Sequence, residues 1–310
     1  MSYASDVIVY GTVCLDLLWR VESLPPPGGY VEIIEEKKAI GGEAANTAVA
    51  LAKWGVRTAL VGNPIGTDPD GVLLMDLFGR DVPELSLEYL EVSDSVNTPY
   101  CVCMATPDGQ RTMIGYRFAN LTCTPLDEQL AAGARWFTVE PNAYESGIAA
   151  AHAAAAAGAK VISMDYAREP LVNSVASVIL TSSEHVGRSL SIPELTEFAV
   201  SVRDTYNKPV IVTVGDKGCI LARPIKDGVG GDVVRFRAYQ APAVVDTTGS
   251  GDVFRAGVLY SLNGGESLEN AIKFGAAAAS LNCAQMGGWG GVRPVNEIIH
   301  HRDTAPFNPL

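Results

Sequence analysis

The sequence predicts an α/β protein with a mainly parallel central sheet covered by helices on both faces. Three observations lead there. First, beyond Leu126 short apolar runs alternate with helical patterns: strand 135–140, an alanine-rich helix over 145–157, strand 160–165, strand 177–181, helix 192–205 and strand 210–214. Such alternation marks parallel strands joined by crossover helices. Second, Val7-Ile-Val-Tyr10 is a continuous apolar run, as a strand buried on both faces requires. Third, the strand-like stretch over 30–38 is too acidic for a buried sheet, and segments 98–106 and 111–117 flank the hairpin signal Pro107-Asp-Gly-Gln110. These three pieces are expected to form a small sheet apart from the main one.

At 310 residues the chain suits one large α/β domain, alone or with a small appendage. A hydrophobic content of 47% with 19% charged residues excludes a disordered or fibrous chain. The net charge is −12 without any Lys/Arg cluster, which argues against nucleic acid and anionic membranes as partners. An anionic ligand must then be held by local donors. Six cysteines (Cys14, Cys101, Cys103, Cys123, Cys219 and Cys283) lie in apolar runs without C-x-x-C or Cys/His zinc spacing, so buried free thiols are expected. The N-terminal residues lack a basic, then apolar, leader pattern, and a cytoplasmic, reduced protein is expected.

The chemistry concentrates in Asp246-Thr-Thr-Gly-Ser-Gly-Asp252. Val244 and Val245 read as the end of a strand ahead of it. From Ser250 onward, Phe254, Val258 and Leu262 recur every four residues, as on one face of a helix. A glycine turn opening a helix leaves unpaired N–H groups and the positive end of the helix dipole, which together suit phosphate. Asp252 then admits two readings: a helix-capping carboxylate, or a base that takes a proton from an incoming hydroxyl. Upstream, Asp16 follows the first strand, where open α/β sheets bind ligands. Ile40-Gly-Gly-Glu-Ala-Ala-Asn46 opens a helix running to Gly55, with Gly41 and Gly42 admitting a ligand to the backbone and Asn46 offering a donor and an acceptor. There is no P-loop, no G-x-G-x-x-G after the first strand and no G-x-S-x-G elbow; His152, His185, His300 and His301 read as surface residues.

Asp-Thr-Thr-Gly-Ser-Gly-Asp closely resembles the C-terminal signature D-T-x-G-A-G-D of the ribokinase-like (PfkB) carbohydrate kinases, with Ser250 for the usual Ala. Gly41, Gly42 and Asn46 match the N-terminal signature, and segment 61–71 resembles the family's VGxVGxDxxG. The resemblance implies a three-layer, Rossmann-like ribokinase fold: one domain over 1–310 with a discontinuous β lid at about 13–38 and 96–119. It implies ATP and Mg2+ as cofactors, a small sugar as substrate, and a homodimer through the lid. In such a kinase Asp252 is the general base, helped by the N–H groups of Gly249, Ser250 and Gly251. Asp16, Gly41, Gly42, Asn46 and Glu140 contact the acceptor. Thr213, Gly215 and Gly218 fit the nucleotide loop T-x-G-x-x-G. Asn282, behind the small residues 276–279, would border an adenine slot. Ser183 and Val186 stand where the family usually carries Asn and Glu of an N-x-x-E motif linked to magnesium, with Glu184 close by. Asp246, Thr248 and backbone near Gly287 would hold a monovalent cation such as K+.

The expected activity is ATP-dependent phosphorylation of a hydroxyl, of the primary CH2OH type, on a small carbohydrate. Two alternatives stand beside it: a nucleoside kinase of the same family, with Tyr100, Tyr116 and Phe118 clamping a base, and a non-catalytic sugar- or nucleotide-binding protein. Arg111 and Arg117 admit two readings, side chains that reach the site from the lid or solvated hairpin residues, and the second is favoured.

Overall fold

The computed structural model describes residues 5–107, 109, 111–119, 121–226 and 229–308. In chain order, β1 (Val7–Gly11) is followed by β2 (Cys14–Val21), β3 (Ile33–Gly41), α1 (Glu43–Lys53), β4 (Thr58–Gly62), β5 (Ile65–Gly66), α2 (Pro69–Asp81) and β6 (Val92–Ser93). Next come β7 (Tyr100–Ala105), β8 (Arg111–Tyr116), α3 (Glu128–Gly133), β9 (Trp136–Val139), α4 (Tyr144–Ala156), β10 (Lys160–Met164), α5 (Pro170–Val175) and β11 (Val178–Ser182). The rest comprises α6 (Ser183–Gly187), α7 (Ile192–Tyr206), β12 (Val210–Thr213), β13 (Cys219–Ala222), β14 (Ile225–Lys226), β15 (Val229–Gly230), β16 (Val233–Phe236), α8 (Ser250–Asn263), α9 (Leu268–Asn282) and α10 (Val295–Thr304).

The main sheet has the order β16-β13-β12-β11-β10-β9-β1-β4. It is parallel from β12 to β4, and antiparallel where β13 meets β12 and β16. Strand β1 shows why its sequence does not alternate in polarity. Val7 and Val9 pack into the cluster that holds α1, α8 and α9, whereas Ile8 and Tyr10 face the opposite cluster with Ala150 and Ala154 of α4. Successive side chains point to opposite faces, so both faces must be apolar. The six parallel strands end on one edge, and Thr12, Glu140, Asp165, Ser182 and Thr213 stand at or just beyond the ends of β1, β9, β10, β11 and β12.

A second sheet of order β3-β2-β7-β8 stands apart from the first. Its outer strands leave Ile33, Ile34, Met113, Ile114 and Tyr116 exposed. Strand β2, pairing parallel with β7 and antiparallel with β3, carries Asp16 into this sheet. The sequence indicated the hairpin of β7 and β8; of its turn, Asp108 and Gln110 lie outside the described residues.

One element expected from the sequence is absent: Val244 and Val245 do not end a strand. They are 53% and 37% exposed, and the N–H groups of Val245 and Asp246 donate to the Cys283 carbonyl beyond α9 instead of to a sheet neighbour. A β-branched pair mimics a strand in composition, but here no strand edge is available to it.

Candidate active site

The signature segment folds as a turn that starts α8. Gly249 is the residue before the helix, with φ of +69°, and a Cβ there would lie 2.0 Å from the Gly288 carbonyl oxygen. Only glycine meets both conditions. The first intrahelical bond runs from Val253 N–H to the Gly249 carbonyl, at 2.9 Å. The N–H groups of Gly251 and Asp252 precede that bond and face the open end of the helix. Ser250 is different: its N–H donates to the Thr247 carbonyl at 3.3 Å, so this donor, expected from the sequence to be free, already has a partner.

Asp252 is 6% exposed. Asn46 Nδ2 donates to its Oδ2 at 2.9 Å, and Arg255 Nη2 to its Oδ1 at 3.4 Å. The capping reading fails, because no side chain caps α8. Burial pushes the Asp252 carboxyl up to about 6, against the pull of Arg255 and Asn46. Just above neutrality it is therefore mainly ionised yet basic enough to take a proton. Arg255 was not singled out by the sequence reading. It is fully buried, with its guanidinium donating to Thr47 Oγ1 at 2.7 Å and to the Glu43 carbonyl at 2.7 Å. Those bonds tie α8 to the N-terminal turn of α1, so the signature glycines and Asp252 share one buried network.

At the other signature, Gly42 precedes α1 and Gly41 ends β3. A Cβ on Gly41 would lie 2.1 Å from Asp16 Cγ, so the missing side chain is what admits the Asp16 carboxylate. Asp16 is 4% exposed, and burial pushes it up to about 7, with Asp252 and Asp246 adding to the rise. Asn46 Oδ1 and Glu43 Oε2 are buried without partners and remain available as acceptors. Glu140 is fully buried. Its Oε1 accepts from Thr12 Oγ1 at 2.6 Å and its Oε2 from Asn142 N–H at 2.6 Å, so it orders the loops after β1 and β9.

The structure relocates several other expected residues. Arg111 is not solvated: its Nη1 donates to Thr247 Oγ1 at 3.0 Å, its Nη2 lies 3.8 Å from Glu184, and Thr247 also donates to the Gly109 carbonyl at 3.3 Å. The small sheet thus rests on the signature turn. Arg117 pairs with Asp68 at 3.4 Å and stacks over Tyr116. Asn282 has no free group for a nucleotide, because it donates to the Thr248 and Gly288 carbonyls and accepts from Gly291 N–H. It braces the signature turn. Asp246 accepts from Thr248 N–H and Gly287 N–H, both at 2.8 Å, while Thr248 Oγ1 is buried without a partner. The Gly287 N–H thus serves Asp246, and the Gly287 carbonyl accepts from Gly290 N–H at 3.3 Å. Thr213 ends β12, and Gly215 and Gly218 shape the tight turn into β13. Ser183 opens α6 next to Ser182, whose N–H and hydroxyl donate to Asp165, and Val186 is buried. Asp165, at φ +57°, is a site-edge carboxylate that its sequence context did not reveal. Tyr100 and Tyr116 pack on each other with ring centroids 5.0 Å apart. Of the four histidines, His301 is half-buried and pairs with Ser280 at 2.9 Å, unlike the surface position expected for it.

A parallel α/β sheet with ligand-facing groups along its C-terminal edge, a buried carboxylate at an open helix N-terminus and a second sheet resting on that turn define a phosphoryl-transfer enzyme of the ribokinase type. Residues 4–292 match the model of the pfkB family carbohydrate kinases, and the chain belongs to that family. It is similar to a ribokinase of Arabidopsis thaliana, 28% identical over 309 residues covering 93% of this chain and 78% of that protein. A nucleoside kinase of Methanothermobacter thermautotrophicus is 26% identical over 302 residues, covering 91% of this chain and 90% of that one. Among solved structures, Arabidopsis thaliana ribokinase complexed with ribose and ATP superposes with a TM-score of 0.81 at 23% identity, covering 97% of this chain and 100% of that one. The protein is accordingly a kinase, a phosphotransferase acting on an alcohol group of a sugar or nucleoside. Among the described residues no helix is long and apolar enough to cross a membrane.

Proposed function

We propose that this kinase transfers the γ-phosphoryl group of ATP to a hydroxyl, of the primary CH2OH type, on a small sugar or sugar-like acceptor, with Asp252 as general base. The observation that carries this reading is the Asp252 carboxylate, buried at the open end of α8 and oriented by Asn46 and Arg255. The proton of the acceptor hydroxyl passes to Asp252 as its oxygen forms a bond to the γ-phosphorus. The bond from that phosphorus to the β-phosphate oxygen breaks, leaving ADP. The N–H groups of Gly249 and Gly251 and the dipole of α8 stabilise the charge on the transferring group. Asp16, Gly42 and Asn46 orient the acceptor: the carboxylate and the free Asn46 Oδ1 accept from its hydroxyls. Thr213, Gly215 and Gly218 hold the nucleotide.

Asp165, just beyond β10, already accepts from Thr181 and Ser182, and Glu184, on α6, pairs with Arg188 and Arg111, so these hard carboxylates would hold magnesium beside the phosphates only by exchanging those partners. When bound, Mg2+ neutralises phosphate charge. A monovalent cation fits the signature turn only in part. Thr248 Oγ1 awaits a partner, but both Asp246 oxygens already accept backbone N–H groups.

The small sheet, about 13–38 and 96–119, serves as a lid that keeps water from competing with the acceptor. Its Arg111 supplies positive charge over the phosphates. The exposed Ile33, Ile34, Met113, Ile114 and Tyr116 on its outer strands support a homodimer through the lid. The test is ADP release with Mg-ATP and K+ against pentoses, hexoses, ketoses, inositols and nucleosides, beside Asp252→Asn. A sugar that turns over and is lost in the variant supports the reading. Turnover of nucleosides alone moves the acceptor class, and ATP binding with no acceptor turned over supports a binding protein.

A further inference from the structure

We propose that Asp16, Cys101 and Cys103 form a binding site for one thiophilic divalent metal ion of the zinc type, in the lid sheet beside the acceptor pocket. Strands β2 and β7 run parallel with Asp16 opposite Cys101 and Leu18 opposite Cys103. Residues two apart on a strand share a face, so both thiols and the carboxylate point the same way. The Cys101 and Cys103 sulfurs are 3.7 Å apart, and an Asp16 carboxylate oxygen and both sulfurs all lie within 4.8 Å of one another. Two sulfurs bound to one tetrahedral zinc at about 2.3 Å each are separated by about 3.8 Å. The pair therefore already stands at the spacing a shared zinc imposes.

The surroundings suit a soft ion. Cys103 packs with buried Leu18, Ala39 and Met286, which exclude water from one side. Cys14 Sγ lies 3.5 Å from Asp16 Oδ1 and can orient the carboxylate from behind. Cys101 is only half-buried, which leaves a route in, and three protein ligands would leave the fourth tetrahedral position to water or substrate. Magnesium prefers six hard oxygens, so the Mg2+ that accompanies ATP does not fill a site with two thiolates. The thiols bind as thiolates, so each metal bound releases their two protons to solvent. The linear sequence hides the site because Asp16 is remote from the cysteine pair, and Cys101-Val-Cys103 is not a C-x-x-C pattern.

Metal binding stands apart from the proposed function, but its consequence rests on that function: a metal on Asp16 removes the carboxylate from the acceptor, so zinc raises KM for the acceptor and leaves kcat unchanged. The experiment is titration of the reduced, chelator-treated full-length protein with Cd2+, reading the thiolate-to-cadmium ultraviolet charge-transfer band, followed by displacement with Zn2+. One equivalent should give the band in the wild-type protein and in Cys219→Ser. Cys101→Ser combined with Cys103→Ser should abolish it. Cys14→Ala should weaken binding about 10–100-fold. No band at one equivalent, or an unchanged band in the double variant with ATP binding intact, would overturn the site. A normal band with zinc inhibition that is not competitive with acceptor keeps the site and removes Asp16 from acceptor binding.

Discussion

Asp252 and Asp16 are the same residue type and both are buried, yet their surroundings differ. Asp252 sits at the positive end of α8 with an amide donor from Asn46 and a guanidinium from Arg255. Asp16 stands on a lid strand, with a Cys14 thiol 3.5 Å away and further carboxylates around it. Burial raises both, to about 6 and about 7 respectively. The compensated carboxylate is held in one orientation and suits proton transfer. The uncompensated one gains most from a ligand's donors and suits recognition. Position in the fold, not residue type, separates the proposed base from the proposed acceptor-binding carboxylate.

The largest expected effect breaks this difference at its first member. Asp252→Asn should lower turnover by roughly two to four orders of magnitude, because a positioned base is lost while the shape remains. Next comes Arg255→Met. Removing the guanidinium raises the Asp252 carboxyl, so the acid limb of the pH–rate profile, expected near 6 from the wild-type value, should move to higher pH. Glu140, Arg111 and Asn46, which also face Asp252, are unchanged in that variant. A profile that loses height without shifting would assign Arg255 a purely structural role. Asp16→Asn should instead raise KM for the acceptor roughly 10–100-fold, the worth of hydrogen bonds to a charged group, with a smaller change in kcat.

Asp16 also gives a stability prediction of definite sign. Its folded value of about 7 exceeds the ordinary 3.8, so between those pH values the folded state holds a proton that the unfolded chain has released. Stability therefore falls as pH rises through that window. Asp16→Asn should raise Tm above pH 7, and the gain should vanish below pH 4. Thermal melts across that range check it. The smallest effect is at the lid's outer face: if the proposed lid-mediated dimer forms, Ile114→Glu should dissociate it, read by sedimentation, without altering the geometry at Asp252.

Much of this was legible in the sequence, and the reasons are local. The main sheet announced itself because β1, β9, β10, β11 and β12 are apolar runs whose two faces are both buried. Gly249 was legible because a positive φ and the close Gly288 carbonyl admit only glycine, whereas the local residues left Asp252 open between a cap and a base. The misreadings share another cause. Val244 and Val245 resemble a strand, but whether a strand forms depends on a neighbour they do not have. Arg111 reads as a solvated hairpin residue until the lid sheet meets Thr247 across 136 residues of sequence. Arg255 likewise bonds Thr47, 208 residues away. Asn282 looks like a pocket polar group, yet three backbone partners absorb it.

Single-turnover phosphoryl transfer tests most directly the proposal that Asp252 is the base. Wild-type protein and Asp252→Asn, each saturated with Mg-ATP and an accepted sugar, would be quenched rapidly and assayed for phosphorylated product, with ATP affinity measured in parallel. The prediction is unchanged ATP affinity and a transfer step slowed by roughly two to four orders of magnitude in the variant. Transfer at nearly the wild-type rate would contradict it and move the proton to another group.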